Sequence, residues 1–343
     1  MNAPFDSMQQ DGPPALTFTL LRLLADGDFH SGEVLARQLG ISRASINNAL
    51  ANAGSYGLAL HSVRGRGYRL AQPLQWLDAA AIGKHLGSTG KHFQIEILDC
   101  AASSNTLLMQ RAALGAPGGS VLAVEWQSGG RGRMGRSWHS GLGNALTFSL
   151  LWRFECGLAK LPGLSLAIGV ALIRALHALG IRGASLKWPN DLLGPTGKLG
   201  GILVEAQGDM LGPSAVVAGI GLNLVSQKQV LRHIDQRVSC LADVAPEMPE
   251  RNRLLAAILC ELHQTLDKFA LSGFAPLRLE WERHHGAQGQ KVQLLHPNGS
   301  HITGTARGVA DDGSLMLETP QGMRLFNAGE TSLRSFQTQN AAD

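Results

Sequence analysis

The stretch "GGRGRMGRSWHS", residues 129–140, narrows more than any other what this chain can fold into. Gly130, Gly132 and Gly135 reproduce the G-x-G-x-x-G spacing of a dinucleotide-binding turn, which needs a strand before it and a helix opening inside it. A strand is expected, since "SVLAVEW" (120–126) is short, apolar and β-branched. The helix is not. "RSWHSGLGN" follows Gly135, with no apolar 3.6-residue period and two more glycines. The spacing therefore predicts a loop carrying Arg131, Arg133 and Arg136 in place of a Rossmann turn. Glycine lets backbone approach a ligand closely, and guanidinium grips carboxylate or phosphate in a bidentate way. Trp138 argues against a merely solvated basic loop, because a large aromatic there packs on or covers something.

A chain of 343 residues that is 44% hydrophobic suits two or three domains, each with a real core. No run of about 18 apolar residues occurs, so no membrane partner is expected. The opening "MNAPFDSMQQDGPP" lacks the layout of a signal peptide and reads as a disordered tail over 1–14. Cys100, Cys156, Cys240 and Cys260 are far apart without C-x-x-C, which fits a reducing cytoplasm and argues against zinc. The net charge of +4 implies no nucleic acid by itself, but its distribution is informative. Only eight of the 30 basic residues are lysines, so a lysine inside a motif stands out.

Residues 15–72 read as three helices and a β-hairpin. Leu16, Leu20, Leu21, Leu23 and Leu24 mark the first helix, which stops at Asp26-Gly27. Ser31 is placed to cap the second and Ser42 the third, with Gly40 making the turn. "LALHSVRGRGYRL" forms a wing around Gly65 and Gly67. This is a winged helix-turn-helix. No acidic residue lies between Glu33 and Asp78, while Arg37, Arg43, Arg64, Arg66 and Arg69 do. Arg43, Ser45 and Asn47 open the recognition helix, where side chains reach base edges, and Arg64 and Arg66 suit phosphates or a minor groove. A winged helix used for protein contact is the alternative; the one-sided charge favours DNA.

Residues 75–275 alternate strands and helices. A long apolar helix (163–179) and buried strands (201–205, 215–224) predict an α/β or α+β domain around one sheet. Between them, "SLKWPNDLLGPTGKLGGILVE" (185–205) carries Lys187 and Lys198 beside Asn190 and Asp191. It is not a P-loop, because the G-x-x-x-x-G-K-[ST] spacing fails. A lysine entering a strand behind a turn is as readily a surface charge as a site residue; two lysines with an Asn-Asp pair among apolar strands point to an anion. Residues 284–336 show period-2 segments separated by glycine turns and read as a small antiparallel barrel.

Four motifs, "GGRGRMGRSW", "KWPNDLL…GKLGGILVE", "GIGLNL" and "GETSLRS", stand in that order behind the winged helix. With them the chain resembles, from about Leu16 to Ser335, the bacterial bifunctional biotin–protein ligases and biotin-operon repressors, the BirA family. The resemblance implies an α+β protein: a winged helix-turn-helix, a central mixed α/β ligase domain like that of class II synthetases, and a C-terminal SH3-like β-barrel. It implies activation of biotin, a substrate, with ATP and Mg²⁺ to biotinoyl-5′-AMP, then transfer to a lysine of biotin carboxyl carrier protein. It also implies binding to operator DNA as an adenylate-bound homodimer that represses biotin synthesis.

By motif match, Ser103, Ser104, Asn105, Gln127, Gly130, Arg131, Gly132, Arg133, Lys198 and Gly201 fall on biotin. Arg131, Trp138, Asn190, Asp191, Asn223, Val238 and Arg334 fall on the nucleotide, Asp191 with Mg²⁺. Arg133 and Lys198 are the catalytic candidates. Three departures bear on this: Ser104 for the usual Thr, Met134 for an Arg, and Val238 for the aromatic expected over adenine. Met134 implies a loop that holds the anion less tightly, and Val238 implies weaker adenine stacking and with it weaker adenylate-linked dimerisation. A biotin-sensing DNA-binding regulator without ligase activity is the rival reading, which the ATP-side residues Lys198, Asn190, Asp191 and Arg334 disfavour. A lipoate-attaching ligase is a second, which the winged helix and the Gly-Arg loop disfavour.

Overall fold

The computed structural model describes residues 13–226, 236–296, 299–329 and 332–335. Of the tail expected over 1–14, residues 1–12 lie outside that range, and so do residues 233–235 of the segment expected to cover adenine.

The N-terminal unit comprises α1 (Ala15–Leu23), α2 (Gly32–Leu39), α3 (Arg43–Leu50) and the antiparallel pair β1 (Leu60–Val63) and β2 (Gly67–Leu70). The expected caps are in place: Ser31 Oγ accepts from the Glu33 amide and Ser42 Oγ from the Ser45 amide. Gly40 closes α2 in the left-handed conformation. Phe18, Leu20, Leu21, Leu35, Ile46 and Leu50 form the core. The wing lies on the start of α2, where His30 and Tyr68 exchange both backbone hydrogen bonds.

This unit is docked on its neighbour. Leu142, which follows the Gly-Arg loop, is fully buried in the winged-helix core, and its amide donates to the Tyr56 carbonyl at 2.9 Å. Tyr56 meets Trp126 edge to face with centroids 5.6 Å apart. The Arg22 guanidinium pairs with Asp99 and lies 4.5 Å from the Trp76 ring centre. The linker is tied down by a buried pair, Glu125 with Arg251 at 2.8 Å, which also hold the Leu77 amide and the Gln75 carbonyl.

The central unit holds α4 (Ala79–Leu86), α5 (Ser104–Ala113), α6 (Leu164–Ala178), α7 (Arg251–Ser272) and α8 (Arg278–His284). Its strands are β3 (Gln94–Ala101), β4 (Ser120–Gln127), β5 (Ala145–Phe154), β6 (Ser185–Lys187), β7 (Asp191–Leu193), β8 (Lys198–Gly208) and β9 (Ser214–Asn223). They form one sheet of order β3-β4-β5-β9-β8-β7-β6. Only β3 and β4 run parallel, so of the two classes the sequence left open, α+β is the one realised. Both faces are covered. Val121 and Ala123 of β4 join α6 and α7 in the main core, while Leu122 and Val124 pack under α5. Residues 136–144, directly after the turn of the Gly-Arg loop, contain no α-helix, as their sequence requires.

The C-terminal SH3-like unit is a five-stranded antiparallel sheet: β10 (Lys291–Leu295), β11 (His301–Val309), β12 (Leu315–Thr319), β13 (Gly322–Phe326) and β14 (Ser332–Ser335). The order is β13-β12-β11-β10-β14. Its core merges with that of the central unit, and the buried Trp188 indole donates to the Gly313 carbonyl at 3.0 Å.

Candidate functional site

A cavity lies on the α5 side of the central sheet. Its floor follows from register. Thr147, Gly221, Gly201 and Asp191 form one row across four neighbouring strands, and Ser149, Gly219 and Leu203 form the next. The glycines make room. A Cβ on Gly221 would lie 2.5 Å from the Trp138 ring, and one on Gly219 would lie 2.2 Å from Asn105 Oδ1. Trp138 and Asn105 can therefore rest on the sheet itself.

One end of the cavity is a neutral hydrogen-bond network. Ser103 caps α5, and the Ser104 amide donates to Gln127 Oε1 at 2.8 Å. Ser149 Oγ lies 2.7 Å from Ser104 Oγ and 2.6 Å from Asn105 Oδ1. Asn105 Nδ2 reaches the Leu203 carbonyl at 3.2 Å and Glu205 Oε2 at 3.0 Å. Each hydroxyl has one proton and Asn105 Oδ1 only accepts. The proton order is therefore Ser104 to Ser149 to Asn105. Ser104 Oγ is left with lone pairs to offer, and Gln127 with its amide N–H donors.

The other end is cationic. Lys198 Nζ lies 2.6 Å from Asp191. Arg133 donates to Asn190 Oδ1 at 3.2 Å, to the Gly329 carbonyl at 2.6 Å and to that of Ala328. Asn190 is fixed in turn by the Ile202 carbonyl at 2.8 Å. Lys187 is held below the usual lysine range by burial, which Arg334, Lys198 and Arg136 reinforce and Asp191 opposes. Arg334, exposed on β14, completes this side.

The Gly-Arg loop spans both ends. It is a closed hairpin, with the Trp138 amide on the Gly130 carbonyl at 2.8 Å and the Gly132 amide on that of Arg136 at 2.7 Å. Arg131 pairs with Glu205 at 2.6 Å, on the neutral side. Met134, at the tip, is the one non-glycine among the described residues with positive φ, at 56°. The buried Trp138 indole N–H has no acceptor among the described residues.

Of the residues expected at the site, Ser103, Ser104, Asn105, Gln127, Arg131, Gly132, Arg133, Trp138, Asn190, Asp191, Lys198, Gly201 and Arg334 line this one cavity. Three others stand outside its lining. Gly130 is buried at the loop base, where a Cβ would meet the Trp138 carbonyl. Asn223 donates to the carbonyls of Lys198 and Ser239, a structural strap. Val238 is half-buried and pairs with the Lys198 backbone, while Gln236 faces the cavity. Sequence reasoning passed over Ser149 and Glu205, which sit in strands that read simply as apolar.

On the winged helix, Arg43, Asn47, Arg64 and Arg66 are exposed. Ser45 Oγ is 2.9 Å from Ser42 Oγ, and the Tyr68 hydroxyl donates to Asn47 Oδ1 at 3.4 Å, joining wing to recognition helix. Phe29 carries Arg66 at 4.1 Å and Arg69 at 4.8 Å from its ring centre. Among the described residues no cluster of three or more His, Cys, Asp or Glu could hold a metal, and no helix is long and apolar enough to cross a membrane.

Comparison with known proteins agrees with this architecture. The Biotin/lipoate A/B protein ligase family matches residues 97–223, an HTH domain matches 17–69, and the Biotin protein ligase C terminal domain matches 288–334. The Bifunctional ligase/repressor BirA of Salmonella typhimurium is 36% identical over 317 residues, covering 92% of this chain and 97% of that protein. A Biotin--[acetyl-CoA-carboxylase] ligase of Mycobacterium tuberculosis is 31% identical, over 76% of this chain and 96% of that one. Among solved structures, the biotin protein ligase of Aquifex aeolicus in complex with biotin and ATP superposes with a TM-score of 0.61 at 28% identity, over 71% of this chain and 99% of that one. With a helix-turn-helix, a ligase domain and a ligase C-terminal domain in one chain, and this identity over nearly full length, the protein belongs to the BirA family of bifunctional biotin–protein ligases and repressors.

Proposed function

We propose that the chain joins biotin to ATP in this cavity, giving biotinoyl-5′-AMP and pyrophosphate, and passes the biotinoyl group to a lysine of biotin carboxyl carrier protein. The carrying observation is the hydrogen-bond polarity of the neutral end. A cyclic urea has two N–H donors and one carbonyl acceptor. Ser104 Oγ, whose proton is committed to Ser149, offers an acceptor to a urea N–H. Gln127, whose oxygen is committed to the Ser104 amide, offers a donor to the urea carbonyl. Biotin oriented that way directs its valerate carboxylate along the glycine floor toward Lys198.

At the cationic end two anions meet. A carboxylate oxygen attacks the α-phosphorus, the bond to the bridging oxygen breaks, and pyrophosphate leaves. Lys198 and Arg133 offset the repulsion and the charge that develops, while Arg131 stays paired with Glu205 at the biotin end. Mg²⁺, when bound with the phosphates, supplies further neutralisation, and Asp191 is the carboxylate that would hold it. Trp138, Asn190 and Arg334 border the nucleotide. The hairpin loop keeps water from the labile anhydride until the carrier lysine attacks its acyl carbon and AMP departs.

The same reading includes a second role. The adenylate-bound form pairs as a homodimer and binds an operator through two winged helices, repressing biotin synthesis. A sensor without ligase activity would have no use for the convergence of Lys198, Asn190, Asp191 and Arg334. Incubation with ATP, Mg²⁺, labelled biotin and a carrier domain tests the enzyme. Label on the carrier lysine is expected; no adenylate and no labelled carrier would overturn the proposal.

A further inference from the structure

We propose that Glu205, which stands behind the cavity lining, is a positioning residue that sets the hydrogen-bond polarity of the biotin end and holds the Gly-Arg loop over it. The proposal rests on the ligase reading and assigns that site a further residue.

One carboxylate oxygen does both tasks. Glu205 Oε2 accepts from Asn105 Nδ2 at 3.0 Å and from Arg131 at 2.6 Å. Those donors come from the start of α5 and from the loop, elements 26 residues apart, counting from Asn105 to Arg131. Glu205 reaches both because it lies on β8 opposite Val217, two residues beyond the Leu203–Gly219 pair and so on the same face of the sheet.

The amide of Asn105 decides the polarity. Its oxygen and nitrogen have nearly the same shape, so sterics alone do not choose between its two orientations. A carboxylate is acceptor-only. It requires Nδ2 on its own side, and a flipped amide would set oxygen against oxygen. With Nδ2 fixed there, Oδ1 must take the Ser149 proton, and Ser149 must take that of Ser104. The lone pairs that Ser104 presents to a urea N–H are thus set by Glu205, from behind the lining, together with the Leu203 carbonyl, which accepts from the same Nδ2 at 3.2 Å. Asn105 is only 3% exposed, so no solvent competes for the amide. Ser104 and Ser149 are buried with it.

The Glu205 charge holds the loop electrostatically. Arg131 is partly exposed; besides this pair the loop is held by its own backbone bonds, by Trp138 on the sheet at Gly221 and by Arg133. Loss of the Glu205 charge frees the Arg131 side, next to the biotin end, while Arg133 still anchors the other.

Glu205→Gln is the test, with Glu205→Asp beside it. Glutamine keeps the size but can present N–H to Asn105, so the Leu203 carbonyl is left to hold the amide's sense without the carboxylate. We expect the Kd of biotin alone, by calorimetry, to rise about tenfold, one charged hydrogen bond's worth. The KM for ATP should stay within about twofold and biotinylation of bystander protein should rise, with Glu205→Asp intermediate. Unfolding midpoints within a few degrees of wild type would confirm a folded variant. A variant that binds biotin as tightly as wild type, or one that loses biotin and ATP equally, overturns the positioning role. Wild-type protein that binds no biotin would instead sink the ligase reading.

Discussion

Lys198 Nζ sits 2.6 Å from the Asp191 carboxylate, at the cationic end of the cavity. Both side chains are about four-fifths buried, so the pair is held in place with little competition from water. It lies where the biotin carboxylate and the α-phosphate are proposed to meet. Lys198→Ala should lower the rate of adenylate formation by well over tenfold, or more than about 1.4 kcal/mol. Biotin affinity should change far less, since the urea contacts lie at the other end. Single-turnover adenylation checks this, and a loss below tenfold would reduce the lysine to a structural charge.

Arg133 ties the loop to two parts of the molecule at once, Asn190 of the central unit and the Ala328 and Gly329 carbonyls of the C-terminal unit. Arg133→Gly removes the tie and adds backbone freedom. Activated biotin should then escape, and labelling of bystander proteins without a carrier should increase several-fold. Unchanged selectivity would remove the shielding role.

The two ends of the site differ in how legible they are. The cationic end is nearly all motif: Lys198, Asn190, Asp191 and Arg133 are marked by rare lysines, a post-proline turn and glycine spacing. The winged helix is likewise visible in Ser31, Gly40 and Ser42, because caps and turns are local. The neutral end is half hidden. Ser149 lies in "ALTFSLLW" and Glu205 in "GILVE", where nothing local separates a functional polar residue from an outward-facing one. Their partners, Asn105 and Arg131, are 44 and 74 residues away. The docking of Leu142 and of Arg22 on Asp99 is equally non-local. Asn223 and Val238 carry motif expectations, but the fold uses them to brace the Lys198 backbone.

His285 supplies a pH dependence. It stacks on Trp281 with centroids 4.5 Å apart, is 5% exposed, and burial lowers its pKa from 6.5 to about 4. The folded state therefore prefers the neutral ring. Its contribution to stability is complete above pH 6.5, declines as pH falls from 6.5 toward 4, and is flat below. The loss across that window is on the order of 3 kcal/mol. Urea denaturation of wild type and His285→Gln at pH 7 and pH 4.5 should show a smaller acid loss in the variant. Parallel pH curves would show that other groups control acid stability.

Leu142 is contributed by the central unit yet fully buried in the core of the winged helix. Leu142→Ala should cost about 2–5 kcal/mol, the range for a leucine cavity that cannot collapse. Part of that loss should appear as undocking of the N-terminal unit, measured as faster amide exchange in α1 and α3 than in α6. A loss under about 1 kcal/mol would mean that the contact is easily replaced.

The DNA prediction rests on how the wing is held. Phe29 places the Arg66 guanidinium 4.1 Å over its ring, and Tyr68 links the wing to Asn47 of α3. The basic side chains are thus partly ordered before DNA arrives, which lowers the entropy lost on binding. Arg66→Ala should weaken binding to all sequences and reduce the salt slope by about one. Asn47→Ala should instead blunt discrimination between operator and random duplex. Adenylate-filled protein should bind the operator more tightly than the ligand-free form. The chain that leaves the Gly-Arg loop at Trp138 enters the winged-helix core at Leu142, so two routes are to be tested for the ligand effect, this contact and the proposed dimerisation. Gel-shift titrations with and without biotin plus ATP, for wild type and Leu142→Ala, separate the routes. A ligand effect that survives in Leu142→Ala assigns the coupling to dimerisation, one lost there assigns it to this contact, and equal affinity in both ligand states of the wild type would mean there is no biotin switch.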